Sequence, residues 1–289
     1  MSTTHTRWHV LTLVVPAEQA EAVADDLRLT HDWNPVQLDR PGSPHAWLEI
    51  YFDHEAEARA SEQSVCETCP CLLKTAIRQC DSRDWHTFWQ LHFQPRAVGE
   101  RLFLQPAWDE ATKAPVSRQV IRIVPGLSFG TGEHFTTRFC LETIDRLAPP
   151  HTACRSLWDV GCGSGVLGVA AARLGFDHVL GTDNDPICLI QAADNAALNG
   201  VTRQTEWAEA DILNTPLPNR MYDVVCANLF AGLLCQAAPV LWQQSRHFLV
   251  LSGIRESEID AVADTFSALN AREIVRDGDG DWVGVCFAR

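Results

Sequence analysis

A glycine-rich turn between two apolar segments constrains the fold of this chain more than any other feature. The segment Leu157 to Val160 is typical of a buried strand, and it leads directly into the turn Gly161 to Gly165. Glycines there permit a sharp bend and leave room for a ligand beside the backbone. An apolar helix from Val166 to Leu174 follows, and the next apolar run ends at Asp183. This order predicts a nucleoside-binding site in which the Asp183 carboxylate binds the ribose hydroxyls of the ligand.

The glycine spacing decides which nucleoside is expected. Gly163 to Gly168 formally matches the GxGxxG pattern of dinucleotide-binding proteins, but in that pattern the first glycine ends the strand, and here that residue is Gly161. Counted from Gly161 the pattern is GxGxG, and the acidic Asp159 precedes it. This combination looks like the S-adenosylmethionine turn of doubly wound methyltransferases. We therefore predict S-adenosylmethionine, with a dinucleotide or a turn without ligand as alternatives, and with contacts from Gly161, Gly163 and Asp183.

Length and composition indicate two domains in a reducing compartment. The chain has 289 residues and 46% hydrophobic content, against a typical domain size of ~150 residues. A formal net charge of −14 argues against extended contacts with nucleic-acid phosphates, which require clustered basic residues.

No apolar window approaches the ~18 residues of a membrane span. Several of the eleven cysteines lie in apolar runs, as reduced core thiols do. We expect a cytoplasmic monomer that binds neither membrane nor nucleic acid directly.

The chain is predicted to have three segments. Residues 1–80 show the order β-α-β-β-α, which favours a small ferredoxin-like α+β domain for substrate recognition. Residues 81–125 form an aromatic connector, expected to pack against a domain. Residues 126–289 alternate helix and strand and end in a hairpin, as methyltransferase sheets do. The predicted fold is therefore α/β, a Rossmann-like class I S-adenosylmethionine-dependent methyltransferase domain with a smaller N-terminal α+β domain.

Candidate residues for chemistry follow the third and fourth strands, because ligands in open α/β sheets lie beyond the carboxyl ends of the strands. Asp211 is expected either to meet the adenine amino group or to cap a loop. An amine acceptor is protonated near neutral pH and must lose a proton before its lone pair attacks. The amide oxygen of Asn228 and the carbonyl of Leu229 are expected to hold its N–H groups. Phe230 is expected to disfavour the charged form as an apolar wall.

A second glycine-bearing loop precedes the helix before the first strand of this sheet, so it can fold over the same edge. Either Thr136 or Thr137 is expected to cap that helix or to touch the cofactor's carboxylate. His134 is a candidate base, although a single histidine in such a loop is more often a structural hydrogen-bonding group. The predicted cofactor contacts of this loop are Phe129, Thr131 and Thr137.

Four cysteines near residue 70 form the remaining candidate site. Cys66, Cys69 and Cys71 are closely spaced, and Cys80 lies nearby. Structural zinc sites usually show two paired cysteine knuckles, and this cluster has no matching second pair. We therefore expect unremarkable thiols and no metal.

These motifs together resemble the PrmA family of ribosomal-protein methyltransferases, from about Asp84 to the C-terminus. The most specific of them is the loop Phe129 to Thr137, of the form FGTGxHxTT, which generic methyltransferases lack. Further matches are Gly99 to Leu102, the glycine turn, Gly181 to Pro186, Asn195, Asn199-Gly200, Ala227-Asn228 and Leu251 to Ile254.

The resemblance implies a function. It implies S-adenosylmethionine-dependent N-methylation of amines, either a lysine side chain or the N-terminal amine, on the eleventh protein of the large ribosomal subunit. It also implies that a small N-terminal domain holds this substrate, and that Thr137, Gly161, Asp183 and Asn228 contact the cofactor. Because residues 1–80 match the family only in outline, another protein lysine or a small amine remains an alternative substrate. A binding module without catalysis is a further alternative.

Overall fold

The structure is a computed structural model, and it describes residues 7–31, 33, 35–39, 43–52, 54–81, 93–124, 134–215 and 220–289. The chain divides into two compact units, residues 1–92 and residues 93–289. Each unit has its own sheet and core, so each is described separately.

The first unit is a four-stranded antiparallel sheet in the order β2-β3-β1-β4. Alternate residues of β1, such as Leu11 and Leu13, are fully buried and pack with both helices. This is the arrangement of a ferredoxin-like domain. The sequence prediction missed β4, because its polar residues hide the strand pattern. The elements are β1 Arg7–Pro16, α1 Ala20–His31, β2 Val36–Asp39, β3 His45–Phe52, α2 Glu55–Thr68 and β4 Lys74–Asp81.

The second unit begins with a three-stranded sheet within the segment expected to be a connector. Its strands are β5 Arg96–Val98, β6 Leu102–Pro106 and β7 Gln119–Ile123. Phe93 is buried and packs edge-on against Trp108. Three aromatic residues of the predicted connector, Trp85, Phe88 and Trp89, lie outside the described residues. Over its described part, this segment therefore belongs to the second unit.

An ion pair attaches the small sheet to the first helix of the main domain, α3 Phe135–Leu147. The buried carboxylate of Asp145 accepts hydrogen bonds from the backbone N–H groups of Glu100 and Arg101 at 2.7 and 3.0 Å. It also pairs with the Arg101 guanidinium at 2.6 Å. A Cβ atom on Gly99 would lie 2.6 Å from an Asp145 oxygen, so only glycine fits there. This contact fixes α3, whose first turn carries Thr137.

The main sheet has seven strands in the order β10-β9-β8-β11-β12-β14-β13. The first five are parallel, and β14 is antiparallel to both neighbours, so the predicted closing hairpin is confirmed. The order reverses between β8 and β11, which opens a crevice at their carboxyl ends. The strands are β8 Ser156–Val160, β9 His178–Asp183, β10 Thr205–Glu209, β11 Tyr222–Asn228, β12 Ser245–Arg255, β13 Arg272–Gly278 and β14 Trp282–Ala288. The remaining helices are α4 Val166–Arg173, α5 Pro186–Leu198, α6 Ala231–Gln244 and α7 Ile259–Ser267.

The cysteines near residue 70 are free thiols, as are the other seven. The sulfur atoms of Cys69 and Cys71 lie 3.5 Å apart. Burial, followed by the neighbouring Cys71, raises the pKa of Cys69 to about 11, so this thiol stays protonated at neutral pH. Within the described part of the chain, no group of three or more metal-ligating side chains converges. None of the described helices is long and apolar enough to cross a membrane.

Candidate functional site

The glycine turn has the backbone geometry that its sequence predicts. Gly161, Gly163 and Gly165 have φ angles of 68°, 50° and 75°, in the left-handed region that side chains rarely adopt. The N–H groups of Gly161 and Cys162 both donate to the carbonyl of Thr182, at 2.8 and 2.9 Å. The turn that leaves β8 is therefore fixed directly to the end of β9.

Asp183 lies at the end of β9 with its carboxylate oriented by two backbone groups. One oxygen accepts a hydrogen bond from Gly163 N–H at 2.9 Å, and the other accepts one from Asp185 N–H at 3.0 Å. Each carboxylate oxygen has a second lone pair, so both can accept a further hydrogen bond. A carboxylate held this way beside a glycine turn fits the two vicinal hydroxyls of a ribose.

Asp159 lies fully buried in β8, and its carboxylate accepts a hydrogen bond from Gly168 N–H at 3.1 Å. This bond joins the strand to α4 beneath the turn. The second carboxylate oxygen has no partner among the described residues. Burial is the main reason that the pKa of Asp159 is raised to about 7, and the nearby charge of Asp183 adds to it.

The raised pKa of Asp159 gives a pH prediction. The folded protein retains a proton that the unfolded chain releases near pH 3.8, so the free energy of unfolding falls as pH rises from there to about 7. Asp159→Asn keeps the acceptor for Gly168 and carries no charge. We expect the free energy of unfolding in urea to favour Asp159→Asn over wild type increasingly as the pH rises. From acidic to alkaline pH, this difference in stability should grow by on the order of 2 to 4 kcal/mol. Asp177→Asn, at an exposed carboxylate, is the control. Parallel pH curves for wild type and Asp159→Asn would contradict the prediction.

The segment after β11 lies directly against the glycine turn. Asn228 ends the strand, and Leu229 N–H donates to the carbonyl of Ser252 at 3.0 Å. A Cβ atom on Gly161 would lie 2.5 Å from a methyl group of Leu229, and one on Gly253 would lie 2.6 Å from its carbonyl oxygen. Two glycines far apart in sequence thus make room for the Leu229 peptide and side chain.

Phe230 directly precedes α6 and is 37% exposed, so its ring is available to a ligand at this edge. Asn228 and Leu229 are partly buried immediately before it. The three candidate acceptor-binding residues therefore form one continuous segment at the carboxyl end of the sheet, beside the candidate cofactor turn.

Asp211 organises a local turn. Its carboxylate accepts hydrogen bonds from Asn214 Nδ2 at 2.6 Å and from Leu213 N–H at 2.8 Å. The side-chain bond from Asn214, followed by that from Leu213, lowers the pKa of Asp211. Ala210 N–H donates to the carbonyl of Asp183 at 2.9 Å, so this turn starts beside the ribose-binding candidate. The capping alternative describes what is observed, and the adenine contact stays a prediction.

The first turn of α3 contributes Thr137. Its side chain is 1% exposed, and its hydroxyl has no hydrogen-bond partner among the residues that the structure describes. His134 caps the helix, because its Nδ1 accepts a hydrogen bond from Thr136 N–H at 3.3 Å and also lies 2.8 Å from the Thr136 hydroxyl. The threonine cap is therefore wrong, and the contact of a threonine with the cofactor's carboxylate stays a prediction. The His134 ring also packs edge-on against Trp282. Two other predicted contacts, Phe129 and Thr131, lie outside the described residues.

Sequence reasoning missed Gly253 as a residue that shapes the site. Its φ of 79° and its contact with the Leu229 peptide both require glycine. The available signal was a Ser-Gly pair at the end of an apolar strand on the ligand-binding edge.

The described residues fit S-adenosylmethionine. The glycine turn leaves space at the backbone, the Asp183 carboxylate suits ribose hydroxyls, and the buried Thr137 hydroxyl has no partner within the described part of the chain. When bound, this cofactor supplies an electrophilic methyl group on a sulfonium. The sheet order and this set of residues define a Rossmann-like S-adenosylmethionine-dependent methyltransferase.

The family follows from sequence comparison. Residues 9–289 match the family model described as Ribosomal protein L11 methyltransferase (PrmA), and the chain belongs to this family. The match confirms the predicted resemblance and extends it from Asp84 to residue 9, so it includes the N-terminal unit.

Individual relatives agree with the family match. The chain is 33% identical over 298 residues to a Ribosomal protein L11 methyltransferase of Geobacter metallireducens, covering 94% of this chain and 95% of the relative. It is 33% identical to that of Pelobacter propionicus, covering 98% of both chains. The crystal structure of ribosomal protein L11 methylase from Lactobacillus delbrueckii subsp. bulgaricus superposes with a TM-score of 0.62 at 26% identity, covering 68% of this chain and 99% of that one.

Proposed function

We propose that this protein transfers methyl groups from S-adenosylmethionine to amine nitrogens of ribosomal protein L11, at a lysine side chain or at the N-terminal amine. The observation that carries the proposal is the position of the segment from Asn228 to Phe230, whose central Leu229 side chain packs against Gly161 of the predicted cofactor turn. An acceptor held by this segment would lie next to the transferable methyl group. The names of the full-length relatives supply the protein substrate.

The role of the site is to align a neutral amine. Methyl transfer is an in-line displacement, so positioning the nucleophile lowers the barrier. The side-chain amide oxygen of Asn228 and the carbonyl of Leu229 are acceptors for the N–H groups of the amine, and they direct its lone pair. The exposed ring of Phe230 disfavours the ammonium form by desolvation. We assign these three residues to acceptor binding and catalysis.

The N-terminal ferredoxin-like unit is proposed to recognise the protein substrate. It is a separate compact unit, and the family match includes it. A net charge of −14 favours a basic partner and disfavours direct contact with nucleic acid. We further propose a monomer in the cytoplasm, where a reducing environment suits eleven free cysteines.

Mass spectrometry of ribosomal protein L11, incubated with this enzyme and S-adenosylmethionine, tests the proposal. We expect mass increases in steps of one methyl group, and fragmentation locates them on lysine or on the N-terminus. The same incubation with Asp183→Ala controls for contaminating activity. An unchanged mass, with cofactor binding intact by calorimetry, would contradict the substrate and favour another protein lysine or a small amine.

A further inference from the structure

A fully buried asparagine in α5 bonds to two separate segments of the second unit. Asn195 is 0% exposed. Its Nδ2 donates to the carbonyl of Ser164 at 2.9 Å, and its Oδ1 accepts from Val124 N–H at 3.0 Å. Ser164 lies inside the glycine turn, and Val124 directly follows β7. One buried side chain therefore satisfies backbone groups of both segments, which fixes their separation.

The glycine turn also rests on α5 one helical turn earlier. A Cβ atom on Gly165 would lie 2.6 Å from the Cβ of Ala192 and 2.9 Å from its Cα. Ala192 and Asn195 are three residues apart, so they share one helix face. The turn thus packs on this face and is hydrogen-bonded to it, and α5 is its structural support.

The end of β7 is held by the same helix at several points. Gln191 Nε2 donates to the carbonyl of Val124 at 3.0 Å. Asn199 accepts from Arg122 N–H at 2.8 Å and donates to its carbonyl at 2.6 Å. Three amide side chains spaced four residues apart therefore bind the edge of β7. Within the described residues, only Asn195 of these three also hydrogen-bonds the glycine turn.

We propose that Asn195 is a positioning residue for S-adenosylmethionine. By holding the Ser164 carbonyl, it fixes the end of the turn that lies two peptide units beyond Gly163 N–H, the group that donates to Asp183. A turn fixed before binding loses less conformational freedom when the ligand arrives, so affinity rises. Asn195 acts through the backbone and does not touch the cofactor. The inference rests on the cofactor assignment and is independent of the protein substrate.

Calorimetric titration of the full-length protein with S-adenosylmethionine tests this inference. Asn195→Ala is compared with Asn199→Ala, which loses hydrogen bonds to the same strand and to the Asn195 backbone carbonyl but removes none of the hydrogen bonds to the turn. Both variants should unfold at a lower temperature, because each leaves buried backbone groups unpaired. We expect Asn195→Ala alone to raise the dissociation constant, by about 10-fold or more.

Two results would overturn the inference: wild-type affinity in Asn195→Ala, or equal weakening in both variants. Asn195→Ser, whose hydroxyl is too short to reach both partners, replaces Asn195→Ala if the latter does not fold. Failure of both to fold would assign Asn195 to overall stability and reject the positioning role. A folded wild-type protein that binds no S-adenosylmethionine would instead reject the cofactor assignment.

Discussion

Asp183→Ala is expected to weaken S-adenosylmethionine binding by ~100-fold or more. Hydrogen bonds to a charged group contribute about 1.5 to 3 kcal/mol each, and the carboxylate is assigned to two ribose hydroxyls. Losing both therefore costs about 3 to 6 kcal/mol, and every 1.4 kcal/mol is a factor of ~10 in the dissociation constant. The backbone bonds from Gly163 and Asp185 are lost as well, which loosens the turn. Isothermal calorimetry on the purified variant measures this change.

Asp185→Ala is the matched control for this experiment. The Asp185 side chain caps α5 by accepting from Ile187 N–H at 2.8 Å, and loss of such a cap costs about 1 kcal/mol of stability. We expect this variant to be less stable while its cofactor affinity stays near that of wild type. Tight binding by a folded Asp183→Ala would show that the ribose is bound elsewhere.

Asn228→Ala is expected to lower kcat by about 100- to 1000-fold, the typical effect of removing one aligned polar group at a reacting centre. Cofactor affinity should fall by about 10-fold at most, because the cofactor contact that the family resemblance implies for Asn228 is a single hydrogen bond of about 0.5 to 1.5 kcal/mol. Steady-state kinetics on ribosomal protein L11, together with calorimetry, separates the two effects. Full turnover by a variant that binds cofactor normally would reject the amine-positioning role.

A second variant tests the carbonyl half of the same site. Gly253→Ala would place a Cβ atom 2.6 Å from the Leu229 oxygen, so this peptide must shift and turnover should fall. Gly200→Ala is the control, because Gly200 has a similar φ of 69° but nothing within 4 Å of its Cβ position. Both substitutions carry the strain of a left-handed residue, about 1 kcal/mol. Only Gly253→Ala should lose activity, and equal kcat values in the two variants would exclude a role for the Leu229 carbonyl.

Several features of the second unit were predictable from local patterns. The glycine turn, the strand before it and Asp183 follow from left-handed glycine conformations and from hydrophobic periodicity, which act over a few residues. The closing hairpin was predictable for the same reason. The prediction of a threonine cap for α3 was wrong because three polar residues, His134, Thr136 and Thr137, lie close together at the start of the helix. His134 occupies the capping position.

Other features had weak local signals. Strand β4 carries polar residues over much of its length, so its pattern resembles a loop. The strands β5, β6 and β7 are short, and the turn between β5 and β6 is held by Asp145, which binds the backbone at Glu100 and Arg101. The ion pair between Arg101 and Asp145 joins residues far apart in the chain, so no local sequence pattern indicates it.

The sequence by itself determined which residues stand at each strand end: a glycine turn, the acid Asp183, and the amide Asn228 with an apolar neighbour. Those assignments depend on short segments, whose conformations are set by steric and periodic rules. Only the tertiary structure decided that Leu229 lies against Gly161 and that Asn195 joins Ser164 to Val124. The physical reason is that β8 and β11 become neighbours through the sheet order, which depends on the packing of the whole domain.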